Sequence, residues 1–156
     1  MSRMYSVVFD NTTVSAAQDL FEITPADDKP IAIHALFLSQ SSEVGDNQEE
    51  FLRVEIIRGH TVGGSGGDTP TPIPLGPIDT AAGFAAEANN TTIATVGTPV
   101  ILHAESFNER SGLQLIFTPE TRPYCSQGQT TILHVQRTAP GDALSMDGTL
   151  YVEEFP

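Results

Sequence analysis

Four histidines (His34, His60, His103 and His134), a single cysteine (Cys125) and an acidic run at 46–50 are the side chains best equipped for chemistry. A histidine-held metal of the kind some cupin barrels carry needs grouped ligands. These are commonly an H-x-H pair with a further Glu and His on inward-facing strand positions. Here each histidine stands alone, and His34, His103 and His134 lie inside apolar runs, where a hydrogen-bonded, half-buried imidazole is the ordinary outcome. The run Asp46-Asn47-Gln48-Glu49-Glu50 lacks the alternating D-x-D-x-D-G order of a calcium loop and reads as a solvated turn. Arg122 is near enough in sequence to lower the pKa of Cys125. No nucleophile motif surrounds that thiol, however, and a lone cysteine among strands behaves as a small hydrophobe. Gly63-Gly64-Ser65-Gly66-Gly67 lacks the lysine of a phosphate cradle, and Asp68 would repel the ligand. With no G-x-S-x-G elbow, P-loop or dinucleotide fingerprint, the chain reads as a non-enzyme with no metal and no cofactor.

The elements that must position these residues are strands. In IAIHALFL, Ile31, Ile33, Ala35 and Phe37 alternate with Ala32, His34, Leu36 and Leu38, so both faces are apolar. In FLRVEIIRG, Phe51, Glu55 and Ile57 alternate with Leu52, Val54 and Ile56. Such β-branched and aromatic runs form strands, and a strand apolar on both faces lies deep. The two runs are expected to form a hairpin opened by Pro30 and joined by a long, ordered connection over 41–50. Further strands are expected at 5–9, 19–23, 91–95, 99–104, 113–117, 130–135 and 149–155, with turns at 106–112 and 126–128. Residues 79–89 divide between a short helix capped by Asp79 and a strand. About nine or ten strands without an internal repeat predict one all-β domain over 1–156. A jelly-roll-like two-sheet β-sandwich with a long Gly/Pro-rich loop manages exposed strand edges without full closure, and is the expected fold.

That loop, at about 60–78, joins a flexible glycine stretch to a stiff one punctuated by Pro70, Pro72, Pro74 and Pro77. Two readings stand side by side. One is a mobile surface loop; the other is an arm laid on a neighbouring molecule, with Ile73 and Leu75 as apolar anchors. An extended proline-rich segment loses little entropy on docking. Deleting 63–77 is expected to leave the fold standing.

Composition narrows the partners. The 156 residues hold 20 acidic and 7 basic side chains, a net charge of -13, which excludes nucleic acid and an anionic membrane surface as partners. One cysteine forms no intrachain disulfide, and no apolar run has the length of a signal core or a spanning helix.

Several stretches carry a family likeness: MYSVVFDN, AAQDLFEITPADDKPIAIHALFLSQSSEVGD, the Gly/Pro segment, NNTTIATVGTPVILHAESFN and GTLYVEE. Together they make the chain resemble small proteins encoded among the head genes of tailed bacteriophages, a group that includes capsid decoration, or cement, proteins. The resemblance implies a structural virion protein, made in the host cytoplasm and bound to the outer capsid surface. Its partners would be the major capsid protein and itself, as a dimer or trimer. Met1, Ser2, Arg3 and Met4, with Pro70, Pro72, Ile73, Pro74, Leu75 and Pro77, are the expected docking residues. A carbohydrate-binding or tail-fibre-type β-sandwich module and a cupin-like metalloprotein are the alternatives, although no Trp and only 3 Tyr leave few platforms for a sugar.

Overall fold

In the segment Leu144–Glu154 every second residue is buried, from Leu144 through Met146, Gly148, Leu150 and Val152 to Glu154. That is the pattern a pleated strand takes when one face is covered. The computed structural model describes residues 1–42, 51–126, 132–137 and 142–156, with 132–137 given by backbone alone. Among them the regular elements are all strands: β1 (Arg3–Val14), β2 (Gln18–Thr24), β3 (Ile31–Gln40), β4 (Phe51–Val62), β5 (Ile73–Pro74), β6 (Ala85–Asn90), β7 (Thr95–Asn108), β8 (Leu113–Ile116), β9 (Tyr124–Cys125), β10 (Ile132–Arg137) and β11 (Leu144–Glu154).

The strands form two antiparallel sheets. One runs β5-β1-β11-β3-β8, with β9 also beside β3; the other runs β6-β2-β10-β4-β7. A single apolar cluster joins them, with Tyr5, Ile33, Leu36 and Leu150 from the first sheet meeting Phe21, Ile23, Val54 and Ile56 from the second. The chain is therefore an all-β sandwich.

β3 and β4 are not a hairpin. β3 lies in the first sheet and β4 in the second. Both runs carry a face apolar enough to bury, and they bury those faces in the same core instead of pairing edge to edge. The connection's residues 43–50, with the acidic run 46–50, lie outside the described residues, as do 127–131 of the expected turn and strand.

Bulges explain why simple alternation misreads two strands. Between the pairs Ile33–Val152 and Ala35–Tyr151, His34 has no opposite number. The inward phase thus changes from Ile31 and Ile33 to Leu36 and Leu38. On β2 the extra residue is Leu20, between the pairs of Asp19 with Gln136 and Phe21 with Val135, and both Leu20 and Phe21 reach the core. Residues 79–89 hold no helix; their second half is strand β6. Of the strand expected at 91–95 only Thr95 lies in one: β7 begins there and runs on through 99–104 and into 106–108 of the expected turn, with Pro99 and Gly97 (φ +87°) absorbed by irregular pairing with β4.

Gly148 sits where β11 crosses the Phe9 ring. A Cβ there would collide with the edge of that ring and lie 3.1 Å from Phe21. The two rings pack at 5.1 Å between centroids, joining the sheets.

Candidate docking surface

The N-terminal residues and the proline segment, far apart in sequence, lie side by side. β5 pairs with β1 through Tyr5–Pro74 and Ser6–Ile73. The Leu75 amide donates to the Met4 carbonyl at 2.9 Å. Arg3 reaches over the next turn, donating to the Thr80 hydroxyl at 2.7 Å and standing 3.7 Å from the Asp79 carboxylate. The Tyr5 hydroxyl donates to the Thr80 carbonyl at 3.1 Å. Proline is tolerated here because an outermost strand needs hydrogen bonds on one side alone.

The segment alternates. Pro70, Pro72 and Pro74 are half-buried against the domain, while Thr71, Ile73 and Leu75 face outward. Ile73 is 56% exposed, Leu75 52% and Ile78 95%, and Met1 is fully exposed. Pro77 is exposed as well. Met4 is half-buried within β1, and Ser2 hydrogen-bonds Glu153. The structure thus lays the proline segment on its own β1, with two apolar side chains directed into solvent.

The glycine stretch is fastened rather than loose. Gly64 donates to Glu22 at 2.8 Å and Gly67 to Asn90 Oδ1 at 3.2 Å. Asn90 Nδ2 in turn donates to Glu87 at 2.7 Å and Glu22 at 3.3 Å. Ser65 bridges Thr92, and Asp68 bridges Ala88. A Cβ at Gly67 would collide with the Ala88 carbonyl, so close backbone approach requires glycine. Glu22 is buried, and burial pushes its carboxyl above the ordinary range; the Glu87 charge adds to this, against the hydrogen bonds from Gly64 and Asn90.

The histidines are mostly accounted for by single partners. His34, at its bulge, meets Glu153 at 2.5 Å, with Arg122 3.7 Å from the same carboxylate oxygen. Burial opposes ionisation of Glu153, but the hydrogen bonds from Ser2 and His34 and the charges of His34 and Arg122 outweigh it and hold its pKa low. His60 Nδ1 lies 2.9 Å from the Val96 carbonyl, and His103 Nε2 lies 3.0 Å from Glu105. The His134 side chain lies outside the described residues. Among those residues, no three His, Cys, Asp or Glu are grouped as metal ligands would be.

Cys125 is buried, and burial pushes its thiol up to about 11; the nearby cation that lowers it is Arg58, not the sequence neighbour Arg122. The sequence reading also missed Glu154. It lies at the inward phase of β11 and accepts from the amides of Gly83 at 2.7 Å and Phe84 at 3.1 Å. The signal was present: position 154 continues the buried alternation of Leu150 and Val152.

No protein-family model matches the chain, and no curated protein does. Among solved structures, T=1 particles derived from infectious bursal virus are similar over 99% of this chain and 40% of that one. The identity is 11% and the TM-score 0.23. The chain thus spans less than half of that relative's length, and a likeness at this level says nothing of function.

Proposed function

We propose that this chain is a structural virion protein, a decoration protein that binds the outer surface of a phage head and reinforces contacts between major capsid subunits. The observation that carries the reading is the ridge on β1 and β5. There a backbone-paired, proline-stiffened segment presents Ile73 and Leu75 outward. Apolar side chains fixed on a rigid strand bind with little further loss of entropy.

The strand pairing supports a jelly roll as the finer description of the sandwich. β1 pairs with β11, β2 with β10, β3 with β8 and β4 with β7, so the first half of the chain returns alongside the second as one long rolled hairpin. A net charge of -13 suits a place on the outer face of a head, away from packaged nucleic acid.

The test is retention on particles. Heads lacking the protein are mixed with wild type or with the Ile73→Asp/Leu75→Asp variant, then pelleted. The variant should be lost from the pellet while its unfolding temperature stays near that of wild type. Equal retention would remove the ridge from the binding surface, and failure of the wild type to bind any head would end the reading. Excising 63–77 is a poorer test, because it also strips Glu22 and Asn90 of hydrogen-bond partners.

A further inference from the structure

On the opposite side of the sandwich both sheets end in strands that, among the described residues, have one neighbour each. β7 ends one sheet and β8 ends the other. Between them lies a groove of about 420 Å³ lined by Leu102, His103, Leu115, Ile116, Phe117 and Thr121. Ile101 on β7 is 56% exposed and Ile116 on β8 is 74% exposed. Pro99, Gly97 and a bulge at Leu102 interrupt the first part of β7, but from 103 to 108 no proline, lysine or bulge guards it. Proline, lysine and bulges are the usual means by which natural strands avoid pairing with another chain.

We propose that this edge is covered by a second copy of the chain, with β7 pairing antiparallel to β7 of the other copy about a two-fold axis at Ala104. Charge selects this occupant. Two chains of net charge -13 repel, so they can meet closely only where carboxylates are absent or answered. Residues 95–104 contain no carboxylate, and the next residue, Glu105, is followed along the same edge by none before Glu109. An antiparallel pair centred on Ala104 sets His103 of one copy opposite Glu105 of the other, twice over. Within one copy these two side chains already lie 3.0 Å apart at the groove, with the Phe117 ring 5.5 Å from the imidazole. The same contact would bring two apolar grooves together and join two five-stranded sheets into one.

This surface is separate from the β1–β5 ridge, so it is tested on the free chain without capsids. Sedimentation at micromolar concentration should give twice the chain mass. Ile116→Lys and His103→Glu should each weaken the dimer about tenfold or more. The exchange His103→Glu/Glu105→His should restore it to within a few-fold of wild type. Circular dichroism checks that each variant is folded, and Ile116 is exposed enough for its substitution to leave the fold intact. A wild-type chain that stays monomeric at high concentration overturns the proposal. So does a dimer indifferent to Ile116→Lys, or an exchange variant no better than His103→Glu. Pairing of this edge with a capsid subunit in place of a second copy would appear as the first of these outcomes.

Discussion

The Leu75 amide and the Met4 carbonyl are joined at 2.9 Å, and through that bond the N-terminal strand carries the proline segment as its outermost neighbour. The bond involves backbone alone, so the Leu75 side chain is free to meet something else.

Leu75→Pro removes the donor and keeps an apolar side chain. The expected cost is about 1 kcal/mol, the net worth of one hydrogen bond. Residues 70–78 should become more open to proteolysis, as limited digestion would reveal. A digestion pattern identical to wild type would mean that the bond does not hold the segment.

Gly148→Ala tests the crossing of β11 over Phe9. The added methyl meets the ring of a buried residue, and overpacking of this kind costs about 1–3 kcal/mol. Chemical denaturation should show a lower midpoint with an unchanged slope.

Glu22 should make stability respond to mild acid. Its folded pKa is raised, chiefly by burial, so the folded state takes up a proton more readily than the unfolded chain. Its contribution is therefore fullest below the unfolded pKa and fades as pH rises through the folded one. Glu22→Gln can still accept from Gly64 and Asn90, and should be at least as stable as wild type near neutrality. The difference between the two should shrink as the pH is lowered. Glu22→Ala, which leaves a buried amide without its acceptor, should cost about 1–3 kcal/mol.

Glu153 should do the reverse. Its folded pKa is held low despite burial, by Ser2, His34 and Arg122. The stability it lends is present above the unfolded carboxylate pKa and disappears as pH falls through the folded value. Glu153→Gln should lower the unfolding temperature near neutrality, with the deficit vanishing in strong acid.

The Cys125 thiol, pushed up to about 11 by burial, should resist alkylation in the folded protein and react once it unfolds. Rapid labelling under native conditions would show that β9 opens readily.

Strand positions were legible in the sequence because β-branched and aromatic residues cluster between turn formers, as at Ile31–Gln40 and Leu113–Ile116. Which strands pair was not legible. Nothing local to 31–38 or 51–57 says that the two runs face each other across a core instead of lying edge to edge. The bulges at Leu20 and His34 were hidden too, since an extra residue is defined by the partner strand. For the docking surface, the outward candidates Ile73 and Leu75 were readable from the proline spacing. Their seat on β1 was not, because it rests on backbone bonds that carry no side-chain signature.

β11 occupies the middle of its sheet, between β1 and β3, yet it comes last in order among the described strands. While the ribosome is still supplying it, β1 and β3 have no common neighbour, and the backbone edges that β11 pairs remain without their partner. Assembly of this sheet must therefore wait until synthesis of β11 is finished, and nascent chains stalled before residue 144 should be the ones that chaperones hold and proteases clear.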